Sequence, residues 1–217
     1  MMIAIRRGCA PGLSLWLFAC VVAAQTRDVL LDRVLAIVSG EVITLSDVRA
    51  ATTLGLVTPR AGGDPTARAL STLIERQLML GEANRYAAPD PPSGAVERRL
   101  EEVRQHVSST GDVEVTLRRT GMTAGRLRDF IRDDLRVDSY LDQRFGGAAQ
   151  PTEEEVAAYY RAHQSQFAQE GLARFEQASA LARDRLRDER RQVLVADWLE
   201  RLRRRADIRE LYLPSSS

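Results

Sequence analysis

The stretch from about Ala173 to Ala206 constrains the fold more than any other. It carries Leu181, Leu186, Val193, Trp198, Leu199 and Leu202 at helical spacing, and a helix of that length runs roughly 50 Å at 1.5 Å per residue. A small domain cannot cover such a helix from end to end. The helix is therefore predicted to bridge other elements, which must themselves present apolar faces.

Those faces are readable upstream. In "DPTARALSTLIERQLMLGEANRY", Asp64 is a helix cap, Pro65 occupies the first helical position, and Leu70, Leu73, Ile74, Gln77, Leu78 and Gly81 form the inward stripe. After the breaker "APDPPSGA", Ser93 is predicted to cap a helix with Val96, Leu100, Val103 and Val107 on one face. Asp112 to Thr120 reads as a short helix closed by Gly121. Thr123 then caps a longer one with Leu127, Phe130, Ile131, Leu135, Leu141 and Phe145 inward. Past the linker "GGAAQPTEEE", Thr152 and Glu155 form a capping box, followed by the stripe Val156, Tyr159, Tyr160, His163 and Phe167.

One segment breaks this helical pattern. In "DRVLAIVSGEVITLSDV", Val34, Ala36 and Val38 fall on one face of a strand and Leu35 and Ile37 on the other, with a turn at Ser39 and Gly40 and a return over Glu41 to Thr44. Thr44 or Ser46 can cap the helix that follows. The terminal "ADIRELYL" alternates Ile208 with polar residues and could add a strand to this hairpin, completing an edge that would otherwise be open.

The first 24 residues have the layout of a secretory signal peptide: Arg6 and Arg7, the apolar "LSLWLFACVVAA", and Val22 and Ala24 at the small-residue cleavage positions, so cleavage is predicted after Ala24. The apolar run falls short of the roughly 20 residues a membrane span needs. The alternatives are a retained anchor, or a lipoprotein acylated at Cys20 within "LFAC", a box that the bulky Phe18 fits poorly. Both cysteines, Cys9 and Cys20, lie in this leader, so a chain starting at Gln25 has no disulfide and no thiol nucleophile. Every basic residue is Arg, which reads as codon bias. Without Arg6 and Arg7, 29 basic residues face 30 acidic ones, a formal charge of −1 that gives no global pull toward nucleic acid.

Nothing in the sequence argues for catalysis. The carboxylate pairs Glu101 with Glu102 and Asp133 with Asp134 are adjacent on helices, where side chains diverge by about 100° and cannot converge on one substrate. His106 and His163 sit on separate helices, without a spacing that would gather several metal ligands. No GxSxG, P-loop or GxGxxG occurs. The Arg-rich run from Gly171 to Gln192 interleaves Glu176, Asp184, Asp188 and Glu189 at helical neighbour spacing, which reads as a self-neutralising face.

Three segments carry a family resemblance. "LLDRVLAIVSGEVITLSDV" resembles the start of SurA-like periplasmic chaperones and their parvulin-type relatives; "QPTEEEVAAYYRAHQSQF" is similar to the helix that leads into that family's peptidyl-prolyl isomerase domain; and "VLVADWLERLRRRADIREL" resembles its closing helix and strand. The resemblance implies a mainly α fold: a multi-helix chaperone core of the SurA and trigger-factor kind, with a small N-terminal hairpin completed by a C-terminal strand. Residues 25–147 would form the helical chaperone domain and 148–217 a linker, a helix and a long last helix returning to it. The chain departs from the family in one respect that decides mechanism. Only "AQEGLAR" separates Phe167 from Phe175, where the isomerase domain would be inserted.

The implied activity is that of an ATP-independent periplasmic holdase, without cofactor, for unfolded outer-membrane or secreted polypeptides. Such a protein needs an adaptable apolar concavity, which methionines and aromatic rings supply. The candidates are Met79, Met122, Phe130, Phe145, Tyr159, Tyr160, Phe167 and Trp198. Two alternatives stand beside this reading: an assembly subunit docking one folded partner, and a residual prolyl isomerase. The linker before Thr152 also leaves room for a homodimer by exchange of the last helix.

Overall fold

The computed structural model of the chain describes residues 32–57, 62–108 and 112–213. The expected leader, with Ala24 and both cysteines, lies outside the described residues. The hairpin forms as β1 (Val34–Val38) and β2 (Glu41–Thr44). Ser39 and Gly40 turn it with φ of 51° and 92°, the left-handed geometry that suits a two-residue connection between twisted strands. Thr44 and Asp47 close a capping box that starts α1 (Leu45–Thr53). Ser46, the alternative cap, instead donates its hydroxyl to Asp32.

Five further elements complete the first part: α2 (Pro65–Arg85), α3 (Ala95–Ser108), α4 (Val113–Thr120) and α5 (Ala124–Phe145), then α6 (Glu153–Ala162) beyond the glycine-containing linker. Asp64, Asp112, Thr123 and Thr152 each accept a first-turn backbone N–H in the way their residue types predict. Ser93 does not. The third helix starts at Ala95, and Gly94, at φ 76°, intervenes.

The stripe after Thr152 is not one helix. It breaks at His163, whose Nδ1–H donates to the Tyr159 carbonyl at 2.9 Å, and resumes as α7 (Gln164–Gln169). The last helix, α8 (Phe175–Arg205), has 31 residues and delivers β3 (Ile208–Glu210) to the sheet. The sheet order is β2-β1-β3, both pairings antiparallel, with Ile37 opposite Arg209. The two ends of the described chain therefore meet.

The main core gathers Leu35, Ala36 and Val38 of β1, Leu70, Leu73, Ile74 and Leu78 of α2, Val137, Tyr140, Leu141 and Phe145 of α5, and Trp198 and Leu202 of α8. A second cluster joins α1, α3, α4 and the start of α5 through Leu54, Val103, Val107, Leu127 and Ile131. A third lies between α6, α7 and the first half of α8. Several inward assignments differ from the helical stripes. Gln77, Phe130 and Leu135 are half-buried and Gly81 is exposed, while Val137 and Tyr140 take core positions on α5. On α8, Leu181, Leu186 and Leu199 are half-buried and Val193 is 61 % exposed. The physical reason is the expected bridging: α8 changes neighbours midway, and between its two clusters the Val193 side stays open while Leu194 and Val195 pack against the main core.

Candidate functional site

The middle of α8 forms one wall of an open crevice of about 880 Å³. Leu141 of α5 and Val193, Val195, Ala196 and Leu199 of α8 line it, and Glu75, Arg191, Glu200 and Arg203 surround them. The rim charges are already matched. Arg203 meets Glu75 at 3.1 Å, Arg191 meets Asp142 at 2.8 Å and Glu200 meets Arg204 at 3.1 Å. Val193 also borders a shallow hollow on the other side of the helix with Ala148, Leu186 and Leu194. Glu155, Glu189 and Arg190 edge this second hollow, so Val193 joins two apolar patches across a partly charged stretch of α8.

Of the smaller hollows along α2, two hold candidate side chains. One, of about 530 Å³, shares Glu75 and Leu141 with the large crevice and takes Met79, Leu56 and Leu135 into its wall. Asp134 lies there too; burial raises its pKa against the opposing pull of Arg76. The other, of about 340 Å³, opens between β2, α2 and α5 against Ile43, Leu73, Met122 and Phe130. Arg76 lies over the Phe130 ring with Cζ 3.6 Å from its centroid, donates to the Phe130 carbonyl at 2.9 Å and meets Asp134 at 2.5 Å. That ring is held in place by a cation–π contact and is partly occupied by it.

The eight candidate side chains have three different fates. Met79 and Phe130 border hollows, and Met122 reaches the wall of one although it is 8 % exposed. Phe145 and Trp198 pack edge to face at 5.5 Å in the main core, so they offer no surface to a guest. Tyr160 and Phe167 are buried in the third cluster, 5.4 Å apart, with the Tyr160 hydroxyl donating to the Ala173 carbonyl at 2.5 Å. Tyr159 is half-buried beside them and donates its hydroxyl to Glu189; burial, with the carboxylate next to it, pushes its pKa up to about 12. The crevice itself is built from Leu141, Val193, Val195 and Leu199. Their exposure depends on which helices flank α8, and no local pattern signals that.

Among the described residues, no three His, Cys, Asp or Glu side chains converge as a metal site requires, and no helix is long and apolar enough to cross a membrane. The sequence matches no protein-family model and no curated protein.

Proposed function

We propose that the chain is an exported, ATP-independent holdase with a SurA-like core, acting in the periplasm on unfolded outer-membrane or secreted polypeptides. The observation that carries this reading is the open apolar crevice between α2, α5 and α8, with its charges paired around the rim. Such a surface attracts an apolar chain by burial while exerting little electrostatic selection, so contacts stay weak and exchangeable. The junction of β1 and β3 supports it as well, because it closes the opening hairpin with the far end of the chain as the family resemblance implies. Only residues 170–174 connect α7 to α8, which supports a core without an inserted isomerase domain.

The test is suppression of aggregation of an unfolded outer-membrane barrel protein at near-stoichiometric ratio. Delayed aggregation, lost on Val193→Asp, is expected. No delay and no measurable binding would remove the proposal, and capture of one stoichiometric folded partner would replace it with an assembly role.

A further inference from the structure

The third apolar cluster is small. Its buried residues are Val156, Tyr160, Phe167, Ala178 and Ala182, two of them alanines, with Tyr159, Leu172, Phe175 and Leu181 half-covered around them, between α6, α7 and the first half of α8. Trp198 and Leu202, on the second half of α8, belong to the main core instead. Burial scales with apolar area, so this cluster contributes far less than the one that holds the sheet, α2 and α5.

Charged and polar ties add to this contact. Arg183 holds Glu153 through two bonds of 2.8 and 2.6 Å, Arg190 holds Glu155 through 3.0 and 2.6 Å, Arg185 holds Glu170 at 2.8 Å, and Tyr159 donates to Glu189. The acidic partners reach the solvent to different degrees: the Glu153 side chain is 78 % exposed, those of Glu155 and Glu170 43 and 41 %. Ion pairs that reach the solvent are screened by salt. Glycines flank the unit on both sides: Gly146 and Gly147 before α6, and Gly171, at φ 79°, after α7.

We propose that α6 and α7 form a clasp that lifts off α8 as one unit while the sheet, α1–α5 and the second half of α8 stay folded. Opening bares Tyr160 and Phe167 on the clasp and Ala178, Leu181 and Ala182 on α8, and so lengthens the apolar surface of α8 toward its start. Cooperative sub-global opening of this kind is drawn from regions with few buried apolar contacts.

Hydrogen exchange read by mass spectrometry on the full chain tests this without any guest, so its outcome is separate from that of the holdase reading. Amides of Glu153–Gln169 should exchange together, about a hundredfold faster than those of α2 and α5. Raising NaCl from about 0.1 to about 1 M, which shortens the screening length from about 10 to about 3 Å, should speed that step severalfold and leave α2 and α5 unchanged. The double variant Arg183→Gln/Arg190→Gln should do the same at low salt, with Trp198 fluorescence unaltered. Protection of Glu153–Gln169 equal to that of α2 and α5, or acceleration of all helices alike, would overturn the clasp.

Discussion

Tyr212 donates its hydroxyl to Asp64 Oδ2 at 2.6 Å, joining the C-terminal segment to the residue that caps α2, 148 positions earlier. Asp64 is at the same time accepting the Thr66 backbone N–H at 2.9 Å. The Tyr212 bond holds the Asp64 carboxyl below its usual pKa. The backbone N–H groups of Leu211 and Tyr212 both donate to the Leu35 carbonyl, at 2.8 and 3.1 Å, so the end of the chain is tied to β1 and α2 together.

Removing residues 207–217 should therefore do more than delete three strand residues. It exposes the outer edge of β1, and an open strand edge invites pairing between molecules. Size-exclusion chromatography over a concentration series should show self-association in the truncated chain and none in the full one. Tyr212→Phe should keep the sheet but lower the thermal midpoint.

Gly55 has φ of 66°, and a Cβ built there would lie 2.6 Å from the His106 ring. Gly55→Ala combines a disfavoured backbone with a clash, and should cost about 1–3 kcal/mol in chemical denaturation. Adding His106→Ala should relieve the clash, with the single His106→Ala variant measured to subtract what that side chain contributes by itself. Additive single and double variants would show that the backbone dihedral carries the whole effect.

Glu155 caps α6 and is gripped by Arg190; bonds from Arg190 first, then from the Thr152 backbone, lower its pKa from 4.5 to about 2. A carboxyl lowered in the folded state stabilises fully above its unfolded pKa and loses that contribution as pH falls through the folded one. The attachment of α6 and α7 should weaken between about pH 4.5 and pH 2. Acid titration followed by exchange of the α6 amides should show this slope, and Glu155→Gln should flatten it.

Trp198 and Val193 lie five residues apart on α8 with opposite roles. Trp198→Ala empties a core site and should cost about 3–5 kcal/mol by denaturant unfolding. Val193→Asp, at a position 61 % exposed, should shift stability by no more than about 0.5 kcal/mol while weakening retention of an unfolded guest in a pull-down.

Where local chemistry decides, the sequence alone determined the outcome. The helix starts at Asp64, Thr123 and Thr152, the stop at Gly121, the turn at Ser39 and Gly40, and the return of Ile208 to the opening hairpin were all readable. Each rests on a cap, a dihedral preference or an alternation that involves residues close in the chain, or, for the last strand, an unfilled edge. Only the tertiary structure decided which apolar residues on α8 stay open. Trp198 and Val193 share one helical pattern, yet the first faces α5 and the sheet while the second faces solvent between two clusters. Helical periodicity states which side chains share a face; whether another element arrives to cover that face depends on where α2, α5 and α6 stop along 31 residues of helix.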